Sequence, residues 1–334
     1  MSESRRADLH VHTCFSGWRS LPLIDAQDCY VTPDDAYARA RQRGMDFVCI
    51  SDHNSIDGAV ELLGRRPDLE PRVIVAEEVE ARFPDGPEWV HLNVFDVDHA
   101  IHADMEDLRS DCRELIDYLG RRGLFFVLNH PLQSFHTVAS ARRRLEELLP
   151  VVPGIEVCNS TSPVAHRSVL TALLGVMSGP RPVMVGGSDA HTLSRIGVVH
   201  TIAPGQTKGD FLRNVRNGRG TVGGTAPGLA TLIRDVYEII GRYYLQLHGR
   251  SPRTRGSRRF RNVLGSGILL PAVVLGVPAV LTSLHHAHQS RIARSLVRQI
   301  AWPRRQGGVS TAAARAPEPA TLGVPAAIPE DGPA

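Results

Sequence analysis

Between residues 7 and 225 the chain alternates short apolar runs with longer amphipathic stretches. The apolar runs lie at 9–12, 47–50, 73–79, 91–97, 124–128, 155–158 and 182–185, each rich in Val, Ile, Leu and Phe. Short runs of this kind, without strict alternation, have the pattern of strands buried on both faces, as in parallel sheets. Helical patterns fill several of the gaps. Residues 32–44 open with Thr32 at the N-cap, Pro33 at the first helical position and Asp35 near the positive end, and stop at Gly44. Residues 104–123 carry apolar side chains at 105, 108, 112, 115, 116 and 119, a helical period, before Gly123. Two more helices are expected at 140–150 and 164–177. Strand–helix alternation on this scale predicts a parallel α/β sheet or barrel.

Metal-capable residues recur where these runs end. His10 and His12 stand two apart, and positions i and i+2 of a strand face the same way. Asp52 and His53 follow FVCIS, Glu78 lies in VIVAEEVE, His91 opens HLNVF, His130 follows LFFVLN, and Asp189 and His191 follow PVMVGGS. In α/β barrels the C-terminal strand ends converge on one rim, where chemistry is done. A chain that repeats His, Asp and Glu at such positions builds one polar cluster from many strands. His99, His102, His136 and His166 fall instead on helices and loops and receive no role.

Composition narrows the class. Hydrophobic residues make up 42% and charged ones 22%, as in a globular protein, and the net charge of +3 gives no bulk attraction to nucleic acid. Lys208 is the only lysine. The five cysteines, Cys14, Cys29, Cys49, Cys112 and Cys158, are scattered with no C-x-x-C, so neither a disulfide framework nor a zinc knuckle is expected. A start of MSESRRADLH has no apolar signal core, and the expected location is the cytoplasm.

The segments DLHVHT (8–13), SDHN (51–54), AEEVE (76–80), His91 of HLNVF, NHP (129–131) and GGSDAH (186–191) together resemble the PHP domain, the polymerase and histidinol phosphatase family, in the family's order. The resemblance covers roughly residues 7 to 225. It implies a distorted (β/α)7 TIM-like barrel with two or three divalent metals at its rim, used mostly to hydrolyse phosphoesters. Position by position, it implies that His10, His12, Glu78 and Asp189 hold a first metal. Glu78 would bridge to a second, completed by His91 and His130, with His53 and His191 in a third site. Glu77 and Glu80 compete with Glu78, and Glu80 would share its face in a regular strand. Asp52 is expected to orient an imidazole. The segment CFSGWRS lacks the extra ligand many members carry after the H-x-H pair, leaving Asp25 or Asp28, or water, to complete the third site.

Six imidazoles with two carboxylates suit Mn, Zn or Fe better than Mg. The implied reaction is hydrolysis of a phosphate ester by a metal-activated water. Arg195 is the expected phosphate clamp, against the reading of a solvated loop arginine, and His53 or His191 the expected proton donor. Cys158 and Asn159 are expected along the pocket, Cys158 as buried filler. The expected substrate is a small phosphorylated metabolite or nucleotide; no basic, aromatic-interleaved stripe supports an oligonucleotide. A non-catalytic binding or membrane-tethered regulatory module is the alternative from another class.

The three expected parts are a barrel at 1–225, a partly hydrophobic helical extension at 226–306 and a disordered tail at 307–334, rich in Ala, Pro and Gly. Residues 263–284 carry no charge over 22 positions, enough to span a bilayer, with arginines on both flanks. A span competes with a helical hairpin, interrupted at Pro271 and Pro278, that lies on anionic lipid or packs on the barrel.

Overall fold

The first strand, β1 (Ser4–Asp8), ends on a buried carboxylate that ties distant parts of the chain together. In the computed structural model, which describes residues 3–20, 23–248 and 257–301, Asp8 accepts hydrogen bonds from the backbone N–H groups of His10 (3.3 Å), Ser188 (2.8 Å) and Gly197 (2.7 Å). Burial pushes its pKa up to about 6 against these bonds.

A small hairpin follows, β2 (Trp18–Ser20) with β3 (Asp25–Gln27), and then α1 (Pro33–Gln42), capped by Thr32 as the sequence predicts. The main sheet continues through β4 (Phe47–His53), β5 (Val73–Arg82), β6 (Trp89–Phe95), β7 (Phe126–Asn129), β8 (Gly154–Asn159) and β9 (Val183–Gly187). It is completed by β10 (Val199–Pro204) and β11 (Thr221–Gly224). The strand order is β11-β10-β1-β4-β5-β6-β7-β8-β9. Helices α2 (Asp57–Arg65), α3 (His99–Leu108), α4 (Cys112–Arg121), α5 (Val138–Leu148), α6 (Val164–Val176) and α7 (Lys208–Asn214) lie between the strands in sequence. The single helix expected at 104–123 is two, because Asp98 and Asp111 each cap a new start.

The sheet differs from the expected all-parallel barrel. β6 is antiparallel to both β5 and β7, and β1 is antiparallel to β10. The reversal comes from the turn FPDGPE, in which Phe83 N–H donates to the Glu88 carbonyl. β10 and β11 escaped the periodicity because their apolar positions are sparse. The first apolar run is also displaced: β1 precedes it, and Val11 makes only an isolated parallel bridge with Ala190. His10 C=O and His12 N–H pair with Ala190, so the chain stays extended there.

Register explains where polar groups collect. Along the inner face of β4 come Phe47, Cys49, Ser51 and His53, and along β5 come Ile74, Ala76 and Glu78, with Cys49 opposite Ile74 and His53 opposite Glu78. On reversed β6 the same face reads Phe95, Asn93, His91 in the same spatial direction. One end of the barrel is thus apolar and the other polar. Phe211 of α7 closes the apolar end, with its ring 5.4 Å from that of Phe47.

The ladder is interrupted between β9 and β10. There the Thr201 hydroxyl accepts from Gly186 N–H (3.0 Å) and donates to Gly186 C=O (2.9 Å), nearly closing the sheet. Gly186 permits this approach; a Cβ would lie 2.6 Å from Val222 Cγ1.

The C-terminal helices α8 (Leu229–His248), α9 (Ser257–Val274) and α10 (Val277–Ala301) belong to the same compact unit, Met1–Ile300. Asn262 of α9 makes two hydrogen bonds with the backbone of Asp25, and Ile292, Ala293 and Leu296 of α10 enter the main core. Pro271 does not break its helix. The break comes at Gly276, whose φ of 84° ends α9, just before Pro278. No single described helix is long and apolar enough to cross a membrane; α9 and α10 meet that test only together, bent by 68°. The expected tail, 307–334, lies outside the described residues.

Replacing Thr201 by Val keeps the shape and leaves the buried Gly186 amide and carbonyl without their partner. Denaturant unfolding should show a loss of about 2–3 kcal/mol; a loss under ~0.5 kcal/mol would show that closure does not rest on this side chain.

Candidate metal centre

Glu78 occupies the centre of the polar rim, fully buried. Its Oε1 lies 3.1 Å from His10 Nε2, 3.1 Å from His91 Nδ1 and 3.0 Å from His130 Nε2, while Oε2 lies 2.9 Å from His53 Nδ1 and 3.4 Å from His12 Nε2. Five imidazoles from four strand ends, with His10 and His12 both from the segment after β1, therefore surround one carboxylate. Asp189 enters from the β9 end, its Oδ1 3.2 Å from His12 Nε2 and 3.5 Å from His191 Nδ1. All eight predicted ligands come together. They form four overlapping groups that can each hold an ion: His10–His12–Asp189, His10–Glu78–His130, His53–Glu78–His91 and His12–His53–His191. His53 thus joins Glu78 and His91 as well as the expected third group. The neighbouring carboxylates take other partners: Glu77 accepts from His102 (2.8 Å) on the opposite face, and Glu80 pairs with Arg82.

His91 lies near the start of its strand, whereas His53, His130, Asp189 and His191 lie at or past the ends of theirs, because reversed β6 brings its first residues to the rim. Two ligands sit in left-handed backbone, His130 at φ 23° and Asp189 at φ 52°, just past β7 and β9. Strain in non-glycine residues of this kind persists where the surroundings hold it and clusters at functional sites.

Groups behind the ligands orient them. Glu156, which the sequence reading missed, holds His10 Nδ1 (3.0 Å) and accepts from His130 N–H (3.0 Å) and the Asn159 amide (2.8 Å). Its signal was a lone acid inside the apolar run GIEVCN. Ser16, inside the apparently ligand-poor CFSGWRS, lies 2.9 Å from His12 Nδ1 and donates to Asp52 (3.1 Å). Asp52 also accepts from Thr13 N–H and Oγ1. It therefore acts on His12 through Ser16, where direct contact with an imidazole was expected. These contacts turn both Nε2 atoms, His10's and His12's, toward Asp189 and Glu78.

The electrostatics fit cations. Burial opposes ionisation of Glu78 and Asp189, but the imidazoles around them, His10 foremost, hold both carboxyls well below the usual range. Burial also opposes the cationic form of His10, yet Glu78, Asp189 and Glu156 raise its pKa well above normal. His12 is pushed down to about 3 by burial and by His191 and His53, and His91 to about 4, chiefly by burial. Glu78 Oε2, His91 Nε2 and His130 Nδ1 are buried without a well-formed hydrogen bond. A buried, imidazole-rich donor set with such orphaned atoms suits divalent metals.

Arg195 is not placed as a phosphate clamp. It is buried, and its guanidinium pairs with Asp235 of α8, so it anchors a helix. Of the two aspartates considered for the third site, Asp25 is engaged by Arg261 and by Asn262, whereas Asp28 lies 3.5 Å from His53 Nε2. Asn159 donates to Asp189 (3.3 Å), and Cys158 is buried, its thiol pKa raised by burial. His166, set aside as a surface residue, is buried too, and burial lowers it to about 3.

Two outcomes follow. Glu156→Gln keeps the size but weakens the hold on His10, and metal affinity measured by calorimetry should fall about 10–100-fold with the melting temperature little changed. Because His10 and His130 have raised pKa values, metal binding must displace their protons. Affinity should therefore drop by about tenfold or more per pH unit on acidification below those values, and a pH-independent affinity between pH ~5 and ~8 would contradict this.

Comparisons with known proteins bear on this geometry. Residues 183–219, from β9 through the end of β10 and α7, match the family model described as PHP-associated. An uncharacterized protein of Methanocaldococcus jannaschii is 31% identical over 74 residues, 22% of this chain; the match spans 43% of that relative's length. Among solved structures, an amidohydrolase from Chromobacterium violaceum, with bound sulfate and no metal, aligns with a TM-score of 0.43 at 14% identity, covering 57% of this chain and 89% of its own. A protein of Bifidobacterium adolescentis named as a metal-dependent phosphoesterase gives 0.38 at 15% identity, covering 64% and 96%. The PHP-associated match thus spans β9 and the segment after it that carries Asp189 and His191, one of the segments on which the sequence resemblance to the PHP domain rests.

Proposed function

We propose that the chain is a metal-dependent phosphoesterase, with two or three divalent ions of the Mn, Zn or Fe type at the Glu78 cluster. The observation that carries this reading is that one buried carboxylate serves both the His10–Glu78–His130 and the His53–Glu78–His91 groups. A carboxylate shared in this way would help to hold two cations. When bound, such cations neutralise the non-bridging phosphoryl oxygens and lower the pKa of a water toward ~7.

The protein groups divide the remaining work. His10, His12, Glu78, His91, His130 and Asp189 hold the ions, with 8% or less of each side chain exposed. His53 and His191 are the more open members, at 11% and 20%, so the substrate approaches over them. Either imidazole, where it is not itself a ligand, is placed to protonate the leaving oxygen. The buried walls behind His10 and His12 exclude water and keep the ligands oriented. With Arg195 committed to Asp235, phosphate recognition falls to the ions and the two open histidines. A small phosphorylated metabolite or nucleotide fits this reading best.

Asp189→Ala should reduce Mn-dependent hydrolysis of p-nitrophenyl phosphate or bis(p-nitrophenyl) phosphate by about a thousandfold or more, with far-ultraviolet circular dichroism unchanged. Unchanged turnover would remove Asp189 from the site. Bound metal without turnover on either ester, nor on a panel of nucleotides and sugar phosphates, would favour a binding module.

A further inference from the structure

Helices α9 and α10 present an apolar surface to solvent at the bend between them. Val274 and Leu275 at the tip are 76% and 81% exposed, and Val263, Leu264 and Ile268 of α9 and Leu281 of α10 are each more than half exposed. Scattered exposed aliphatics are ordinary, but a contiguous set on one corner marks an interaction surface. The opposite faces of these helices are committed. Asn262 is bonded to Asp25, and Gly265 comes so close to Leu23 that a Cβ would lie 2.2 Å from its carbonyl oxygen. The Gln289 amide donates to Gln133 C=O (3.2 Å), and Ile292, Ala293 and Leu296 are in the main core.

Charge identifies the occupant. The sequence from 239 to 306 holds twelve arginines and no aspartate or glutamate, and none of the arginines falls within 263–284. An uncharged apolar corner between arginine-rich flanks matches an anionic bilayer, with acyl chains for the aliphatics and phosphate headgroups for the guanidinium groups.

We infer that the α9–α10 corner docks on an anionic membrane surface, inserting Val274 and Leu275 at the level of the acyl chains without spanning it. A span is disfavoured because both helices would have to leave their barrel contacts. Docking adds a location to the proposed catalytic domain and does not depend on its activity.

The test is flotation of the full chain with vesicles of phosphatidylcholine, with and without about one third phosphatidylglycerol. The chain should bind the anionic vesicles at least about tenfold more tightly than the zwitterionic ones, and Leu275→Glu should weaken that binding by about tenfold or more. Leu275→Glu replaces an exposed side chain, so its melting temperature and metal content should match the parent. Equal binding to both vesicle types, no binding to either, or binding untouched by Leu275→Glu would each overturn the inference. Two other results would overturn it in favour of another occupant. A parent dimer in analytical ultracentrifugation that Leu275→Glu converts to monomer would assign the corner to a second copy. Retention in the membrane fraction after carbonate washing of expressing cells would assign the helices to a span.

Discussion

The fully buried carboxylate of Glu78 sets the terms for the rest of the barrel. A buried charge must be compensated where it lies, and removing its partners costs far more than their net attraction supplies. Here compensation comes from His10 and His12 of the segment after β1 and from His53, His91 and His130, each delivered by another strand end or the segment after it. The strands must therefore end together, and the backbone must turn sharply at His130 and Asp189 to aim those side chains inward. Local strain at these two residues is tolerated because the surrounding bonds determine their positions.

The same requirement accounts for the contacts behind the ligands. An imidazole that can rotate is a poor ligand, and the partner on its other nitrogen sets both tautomer and direction. His10 has Glu156 in this role, and His12 has Ser16, itself held by Asp52. Asp8 does related work on the backbone, binding the segments that carry His10 and Asp189 to one oxygen pair. These acids are buried and sit on or just after strands, so a charge inside an apolar run is informative about the site even where it contacts no metal.

The C-terminal helices are tied to this assembly at several points. Asp235 of α8 takes Arg195, and Gln289 of α10 bonds the backbone of Gln133, whose side-chain amide donates to Thr161 Oγ1; that hydroxyl in turn donates to Asp189 Oδ2. The extension thus contacts the loop that follows His130. Its free face, in contrast, is aliphatic and lies within an acid-free stretch of sequence. Side chains at three- and four-residue spacing divide each helix between barrel and solvent, while hydropathy summed over 263–284 cannot distinguish a span from a surface helix pair.

Much of the candidate cluster was legible without coordinates, because strand periodicity and the position of His, Asp and Glu relative to apolar runs are local properties. All seven apolar runs lie on or next to strands, and the order of the metal-capable residues carried the family resemblance. What local pattern could not decide involves partners far apart in sequence. His10 meets Glu156 across 146 residues, and Arg195 meets Asp235 across 40. The choice of Glu78 over Glu77 and Glu80 depended on which face of β5 turns inward and how its end is oriented at the rim. The reversal of β6 depended on one turn whose effect appears only when β5, β6 and β7 pair. The sequence by itself determined which atoms are available to bind metal and roughly where each strand presents them. Tertiary structure alone decided which carboxylate they surround and which acids hold them, because long-range packing sets the direction of each side chain and local periodicity does not.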